Sequence, residues 1–320
     1  MNYWHVRGDI LKNRCDVKMV AVVVTYNRLN KLKKALKSYD EQLHHVDYMI
    51  VVDNASTDAT AEWLDQWKHE PHKFLVKIIH SKENLGGSGG FYLGQKKAME
   101  LDVDWILIAD DDAYLPENYV SGLYEYIVNN DTSDVSVLCG VVKEHESFCN
   151  HHRMILKNNR CQLDFLEKPS LSSYQKKTFY INHASYVGPL INKRKILQVG
   201  LVEKDFFIWF DDAEHSLRLG KVGKMICLPD LVIKHDVEKS NTELSWKSYY
   251  GFRNRLICHK KHFTITFPLI LLLFLCKTFL APLKGRSLAE VKMRFIAIKA
   301  AVLEKMGVHE IYKPGWKPDK

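Results

Sequence analysis

The chain has 320 residues, 46% of them hydrophobic and 26% charged. That is enough for one large or two modest domains with a buried core, and it excludes disordered, collagenous and coiled-coil architectures. The formal charge of +8 is uneven: residues 243–320 carry 15 Lys/Arg against 5 Asp/Glu, whereas residues 1–242 carry 31 against 33.

Val17 to Thr25 is a near-continuous β-branched run, the pattern of a parallel strand buried on both faces. Leucines 29, 32, 36 and 43 then recur at helical spacing. A second strand is predicted over Tyr48 to Val52, closed by Asp53, and a helix over Ala59 to Trp67, capped by Ser56 or Thr57. Phe74 to Ile79 reads as a third strand. Asn84 to Gly90 is a glycine-rich loop leading into a helix from Phe91 to Glu100, and Trp105 to Ala109 is a fourth apolar strand ending in Asp110, Asp111 and Asp112. This alternation predicts an α/β class, a mostly parallel open sheet flanked by helices. Ligands of such sheets bind beyond the carboxyl ends of the strands. Thr25–Arg28, Asp53–Asp58, Asn84–Gly90 and Asp110–Asp112 are therefore expected to converge on one crevice.

Farther along, Val135 to Val142 reads as a strand, and residues 143–178 as a polar excursion with no chemistry assigned. Phe179 to Asn192 returns to strand-like alternation, and a helix is expected from Ala213 to Leu219 after the aromatic stretch ending at Phe210. The chain divides at 242/243 into a catalytic α/β domain and a basic, apolar helical region. Within the latter, the uninterrupted apolar run Phe267 to Cys276 is ten residues long and contains Pro268, well short of the ~20 a membrane-spanning helix needs. With Lys260, Lys261, Lys277, Lys284 and Arg286 around it, it fits a segment lying on an anionic membrane surface; a buried core helix is the plainer alternative. Seven cysteines without a CxxC pair argue against a disulfide framework. The first residues contain no apolar core of signal-peptide length, so a reducing, cytoplasmic setting is expected. No stacking platform accompanies the basic residues, which makes nucleic acid a poor partner.

Asp110 and Asp112 form a D-x-D pair at a strand end, two hard oxygen ligands suited to a divalent ion that also holds phosphate oxygens. A solvated acidic turn is the plain alternative. A phosphohydrolase of the dehalogenase type would carry Thr or Val where Tyr114 stands. Glycines 86, 87, 89 and 90 permit close backbone approach to a ligand, but they match neither the dinucleotide fingerprint nor the P-loop, which would need Lys at Gln95. Trp209 to Glu214 places Asp211, Asp212 and Glu214 beside apolar residues, a setting for a general base; helix N-capping would need fewer acids. His235 follows a short strand, and Arg253 lies among Tyr249, Tyr250 and Arg255, where a guanidinium could meet a pyrophosphate.

Together, Val24–Arg28, Val52–Asp58 and the strand-borne Asp110–Asp112 resemble a family-2 glycosyltransferase of the A-type fold. Asn84–Phe91, Asp211–Glu214 and His235 resemble its bacterial UDP-galactofuranosyltransferase branch; related rhamnosyltransferases usually have fewer glycines in that loop. The resemblance covers roughly residues 17–260. It implies that Thr25, Arg28 and Asp53 contact the uridine, that Asn84 and the loop glycines (Gly86, Gly87, Gly89, Gly90) approach the donor sugar and diphosphate, and that Asp111 also belongs to the substrate site. It further implies Asp110, Asp112 and His235 as ligands of Mn²⁺ or Mg²⁺ and Asp212 as the catalytic base. Asp211 and Glu214 would shape the acceptor site, and Trp209 would stack on a sugar. The implied reaction is inverting transfer from a UDP-sugar donor to a polyprenyl-diphosphate-linked glycan acceptor at the inner face of the cell membrane. Only about 17 residues precede the first strand, where the large polymerising galactofuranosyltransferases carry an N-terminal β domain, so transfer of a single residue is expected. Rhamnosyl transfer from dTDP-rhamnose and a non-catalytic nucleotide-sugar-binding protein are the alternatives.

Overall fold

The computed structural model describes residues 17–145, 147–158, 163–237 and 244–318. The expected division at 242/243, Cys15 and Cys161 lie outside the described residues.

Four parallel strands form one half of the main sheet: β1 (Met19–Thr25), β2 (Tyr48–Asp53), β3 (Leu75–His80) and β4 (Trp105–Asp110). The helices between them are α1 (Leu29–Asp40), α2 (Thr60–Trp67) and α3 (Gly86–Met99). All seven residues of β1 are buried. Met19, Ala21 and Val23 join one apolar cluster, whereas Val20, Val22 and Val24 join another on the opposite face. A strand with helices on both sides has no polar face, which is why the run reads as continuously hydrophobic.

After the two-residue β5 (Ala113–Tyr114) and α4 (Tyr119–Asn129), the sheet continues with β6 (Val135–Glu144) and its short hairpin partner β7 (Ser147–Phe148). The excursion contributes β8 (Arg153–Leu156) and β9 (Leu166–Glu167) to a separate small sheet, completed by β11 (His183–Ala184) in the order β11-β8-β9. The stretch Phe179 to Asn192 is thus divided among β10 (Phe179–Ile181), β11 and β12 (Val187–Asn192). The short α5 (Lys193–Val199), α6 (Asp211–Leu219) and the long β13 (Lys224–His235) follow. Main-sheet order is β10-β13-β6-β12-β4-β1-β2-β3. β12 runs antiparallel to both β4 and β6, while β13 is parallel to β6. The sheet is therefore mixed: the reversed β12 stitches two parallel parts together, and β10 at the edge is reversed as well. Six strands, β1, β2, β3, β4, β6 and β13, end at one edge.

Three helices close the chain: α7 (Trp246–His262), α8 (Phe267–Phe279) and α9 (Leu288–Val302). Leu256, Ile257, Ile270, Phe274 and Ala301 pack with Phe165, Phe206 and Leu217 in a third apolar cluster, which ties these helices to α6 and to the excursion. Ile270 and Phe274 of α8 are buried, whereas Leu269 and Leu272 on the same helix stay exposed. Among the described residues no helix is long and apolar enough to cross a membrane.

Candidate functional site

Two openings at the common strand edge share Arg28, Gly87, Asp110, Ile208 and Lys247 in their walls. One is a cleft of about 610 Å³, the other a recess of about 210 Å³. Thr25, Arg28, Asn84, Gly86, Gly87, Asp110 and Asp111 line the recess. Asp110, Asp112, Trp209, Asp211, Asp212 and His235 line the cleft. Three of the four segments expected at the strand ends therefore converge here, whereas of residues 53–58 only Asn54 lines the recess and Asp53 lines neither opening.

The acidic triplet turns out of β4 into β5, and β5 pairs with the end of β13 so that His235 lies opposite Ala113. The Asp236 amide donates to the Asp112 carbonyl at 2.8 Å, and His235 Nε2 stands 3.2 Å from Asp112 Oδ1. Ligand atoms of Asp110, Asp112 and His235 lie within 4.8 Å of one another. Two carboxylates and an imidazole converging in this way suit Mn²⁺ or Mg²⁺ with coordination left for phosphate and water. Burial, reinforced by the neighbouring Asp112 charge, pushes the Asp110 carboxyl up to about 8. A group so reluctant to ionise alone is one whose charge a cation would stabilise.

Asp111 points the other way. Its carboxylate, almost fully buried, accepts from Thr25 Oγ1 at 2.7 Å and from Arg28 Nη1 at 3.0 Å. Arg28 Nη1 also donates to Asp112 Oδ2 at 2.8 Å. Thr25 and Arg28 thus brace the triplet through Asp111 and Asp112. Asn54, which the sequence reading did not single out, pins the glycine turn: its Nδ2 donates to Asn84 Oδ1 (3.1 Å) and the Gly86 carbonyl (2.9 Å), and its Oδ1 accepts the Leu85 amide (3.0 Å). Asp53, at the end of β2, accepts the Ser56 amide at 3.0 Å and lies 3.2 Å from His80 Nδ1.

Opposite the triplet, α6 begins with Asp211 and Asp212 in its first turn, where carboxylates are favoured by the helix dipole. Burial beside the charged Asp212 raises Asp211 to about 7. Burial also opposes charge on Asp212, but His183 Nε2 at 3.5 Å and the Ala213 amide at 2.7 Å outweigh it and hold this carboxyl below the usual range. Asp212 is also the more accessible of the two, with 24% of its side chain exposed. Asp212 is the more exposed and more readily ionised member of the pair, and Asp211 its reluctant neighbour. His183 sits in the short β11, too brief to carry a periodic signal, and was legible only as one histidine among fifteen.

The approach to α6 is unusual backbone. Phe207, Trp209 and Phe210 all adopt positive φ (67°, 63° and 68°), each at a cost of order 1–3 kcal/mol. α7 holds them there: Asn254 Nδ2 donates to the carbonyls of Phe206, Ile208 and Trp209 at 2.8–3.0 Å, and Arg253 Nη2 donates to that of Phe206 at 3.0 Å. Gly86, itself at φ 71°, fits beneath this loop because a Cβ there would meet the Phe207 carbonyl oxygen at 2.0 Å.

Several expectations need correction. Arg253 is 1% exposed, donates from Nη1 and Nη2 to main-chain carbonyls and from Nε to Asn254 Oδ1, and packs over Tyr249 and Tyr250, so it braces the aromatic loop and meets no pyrophosphate. Glu214 faces away from the cleft, paired with Arg218 at 2.7 Å and His262 at 3.0 Å; two residues along a helix from Asp212 a side chain lies on another face. The glycine stretch is no loop: α3 already begins at Gly86. Gly89 and Gly90 are there for packing, since Cβ atoms would stand 2.4 Å from Leu85 Cβ and 2.5 Å from Val24 Cγ1. Only Asn84, Gly86 and Gly87 of that stretch face the openings.

The family model for glycosyl transferase family 2 matches residues 20–200. Among curated relatives, galactofuranosyltransferase GlfT1 of Mycolicibacterium smegmatis is 41% identical over 92 residues, 29% of this chain and 29% of the relative. The chain thus matches under a third of that relative's length. The dTDP-rhamnosyl transferase RfbF of Shigella flexneri is 21% identical over 265 residues, 76% of this chain and 80% of the relative. Among solved structures, a mannosyltransferase of Pyrobaculum calidifontis in complex with GDP-Man and Mn²⁺ superposes with a TM-score of 0.57 at 16% identity, covering 97% of this chain and 88% of the other. Residues 1–349 of S. aureus TarS, in complex with UDP-GlcNAc, give 0.58 at 14% identity, covering 89% and 82%. The fold is GT-A, a mixed sheet flanked by helices.

Proposed function

Since the chain belongs to glycosyl transferase family 2, we propose that it transfers galactofuranose from UDP-galactofuranose to a lipid-linked glycan of a bacterial surface polysaccharide, with inversion at the anomeric carbon. The observation that carries this reading is the placement of an ionised, partly exposed Asp212 across one cleft from the Asp110, Asp112 and His235 cluster. The acceptor hydroxyl enters the cleft beside Asp212, which takes its proton as the oxygen attacks the anomeric carbon opposite the departing UDP. Asp110, Asp112 and His235 would hold Mn²⁺ or Mg²⁺, which offsets charge on the diphosphate leaving group. Thr25, Arg28 and Asp53 serve the nucleotide end, Gly86 and Gly87 the diphosphate, and Trp209 offers a stacking face for a sugar. Asp211, raised to about 7 by burial beside Asp212, carries its own charge only in part near neutral pH.

The identity to GlfT1 over 92 residues supports galactofuranose as the donor sugar. The longer match to a dTDP-rhamnosyl transferase favours rhamnose as the second reading. The exposed apolar residues of α8 and the basic C-terminal quarter support residence on an anionic membrane surface, at the cytoplasmic face, where a polyprenyl-linked acceptor is found.

A donor screen with Mn²⁺ decides between the readings. Nucleotide release is followed for UDP-galactofuranose, UDP-galactopyranose, UDP-glucose and dTDP-rhamnose, with and without a polyprenyl-diphosphate-linked glycan. Acceptor-stimulated release from UDP-galactofuranose alone is expected; selective turnover of dTDP-rhamnose would replace the donor and leave the mechanism standing.

A further inference from the structure

A second group of metal-binding side chains lies beside the first. Glu144, Cys149, His151 and His152 bring a carboxylate oxygen, a thiol and two imidazoles within 4.8 Å of one another. All four come from one short stretch with the spacing E-x₄-C-x-H-H. β6 ends at Glu144 and turns back through β7, where Glu144 pairs with Ser147, and the Cys149 amide returns to the Val142 carbonyl at 2.8 Å. A 3₁₀ turn over Asn150–His152 then swings both histidines toward Glu144.

The contacts inside the group are close. Cys149 Sγ lies 2.9 Å from His151 Nε2, His152 Nε2 lies 2.8 Å from Glu144 Oε1, and His151 Nε2 lies 4.0 Å from Glu144 Oε2. The ring of the buried His152 is oriented from behind: its Nδ1 is 2.6 Å from Ser185 Oγ, which leaves Nε2 facing the group. Such outer partners fix the ring orientation of metal-ligating histidines.

We propose that Glu144, Cys149, His151 and His152 form a structural Zn²⁺ site. The ligand chemistry separates it from the Asp110, Asp112 and His235 cluster. Two carboxylates and one imidazole suit a hard ion that retains phosphate and water, whereas a thiolate with two imidazoles selects zinc. Four protein ligands also leave no open position, as in structural rather than catalytic zinc sites. Binding releases the Cys149 proton. The ion would clamp a segment with little regular structure of its own, since β7 is two exposed residues and β8 only four. The two sites share a support: Glu144 Oε1 also stands 2.9 Å from His235 Nδ1, and the rings of His152 and His235 meet edge to face at 5.1 Å. Clamping the hairpin therefore also fixes the ring of His235, and His151 and His152 form part of the cleft wall.

The test uses the full chain and needs neither donor nor acceptor, so its outcome is independent of the proposed transferase activity. The protein is loaded with Zn²⁺, dialysed against excess Mg²⁺ and Mn²⁺, and its metal counted by mass spectrometry. One retained zinc per chain is expected, kept in Asp112→Ala and lost in Cys149→Ser and His151→Ala, with far-UV circular dichroism reporting that each variant is folded. Wild-type protein loaded with Co²⁺ should show a thiolate-to-cobalt charge-transfer band, a readout that requires no variant. The proposal is overturned if wild type retains no zinc, if the cobalt band is absent, or if the retained zinc survives Cys149→Ser and leaves with Asp112→Ala.

Discussion

At the residue scale, adjacent acids receive different roles from their surroundings. Asp212 keeps its charge because His183 and the Ala213 amide meet it, while Asp211 is raised to about 7 by burial beside that charge. Asp212→Asn is nearly isosteric but cannot accept the acceptor's proton. It should lower kcat by about 10²–10⁴-fold while UDP affinity, measured by calorimetry, changes little; near-normal turnover would remove Asp212 from its proposed role. Glu214 gives a stability prediction instead. Burial disfavours its charge, but His262 and Arg218 more than compensate and hold it at about 2. Because that lies below the ordinary 4.5 of an unfolded chain, the pairing stabilises fully above about pH 4.5, and the gain is lost as pH falls toward 2. Glu214→Gln should therefore cost about 3 kcal/mol at neutral pH, with the two melting curves converging in acid. A gap that stays constant with pH would contradict the assignment. At this scale the sequence was most informative where residues act locally: Asp110, Asp112, Asp211 and Asp212 were all legible. Arg253 and Glu214 were misread because a one-dimensional motif does not say which face of a helix a side chain occupies.

At the scale of elements, register and helix-to-loop bracing build the site. The strands β1 to β4 were readable because double-sided burial demands unbroken apolar runs. The start of α3 was not, since four glycines in five residues signal a loop by propensity. Packing overrides propensity here, because only glycine lets α3 lie directly on Val24 and Val22. Nor could the sequence reveal that Asn254 satisfies three carbonyls of a loop with left-handed backbone. Asn254→Ala removes all three bonds while leaving the cleft-lining side chains unchanged. It should relax the 206–210 loop and lower kcat about tenfold or more through misplacement of Asp212, with UDP affinity largely retained. Unaltered kcat would mean that the loop holds its shape without α7.

At the scale of the whole molecule, the C-terminal helices complete the fold on one side and present apolar surface on the other. Ile265, Leu272, Leu283 and Leu288 are exposed to between 57% and 95%, on the most basic part of the chain. Such a combination gains from apolar insertion and from anionic headgroups together. The protein should sediment with vesicles containing phosphatidylglycerol and much less with neutral phosphatidylcholine vesicles. Leu272→Glu with Leu283→Glu should weaken that association by at least about tenfold without changing the circular dichroism spectrum. Equal binding to neutral vesicles, or indifference to the double substitution, would place the apolar surface in another role.

The pairing of β5 with β13 has a consequence in time as well as space. Asp112 and His235 are neighbours across that ladder yet stand 123 residues apart along the chain, and the loop ahead of Asp212 is braced from Asn254, later still. Strands β1 to β4 can pair from local βαβ units as they leave the ribosome, whereas contacts of long sequence separation close slowly and late. A nascent chain therefore possesses the β1–β4 edge of the cleft well before the Asp110, Asp112 and His235 cluster is complete or Asp212 is positioned. The proposed catalytic centre is among the last parts of the molecule to come into being, so an incomplete chain is not expected to carry a competent one.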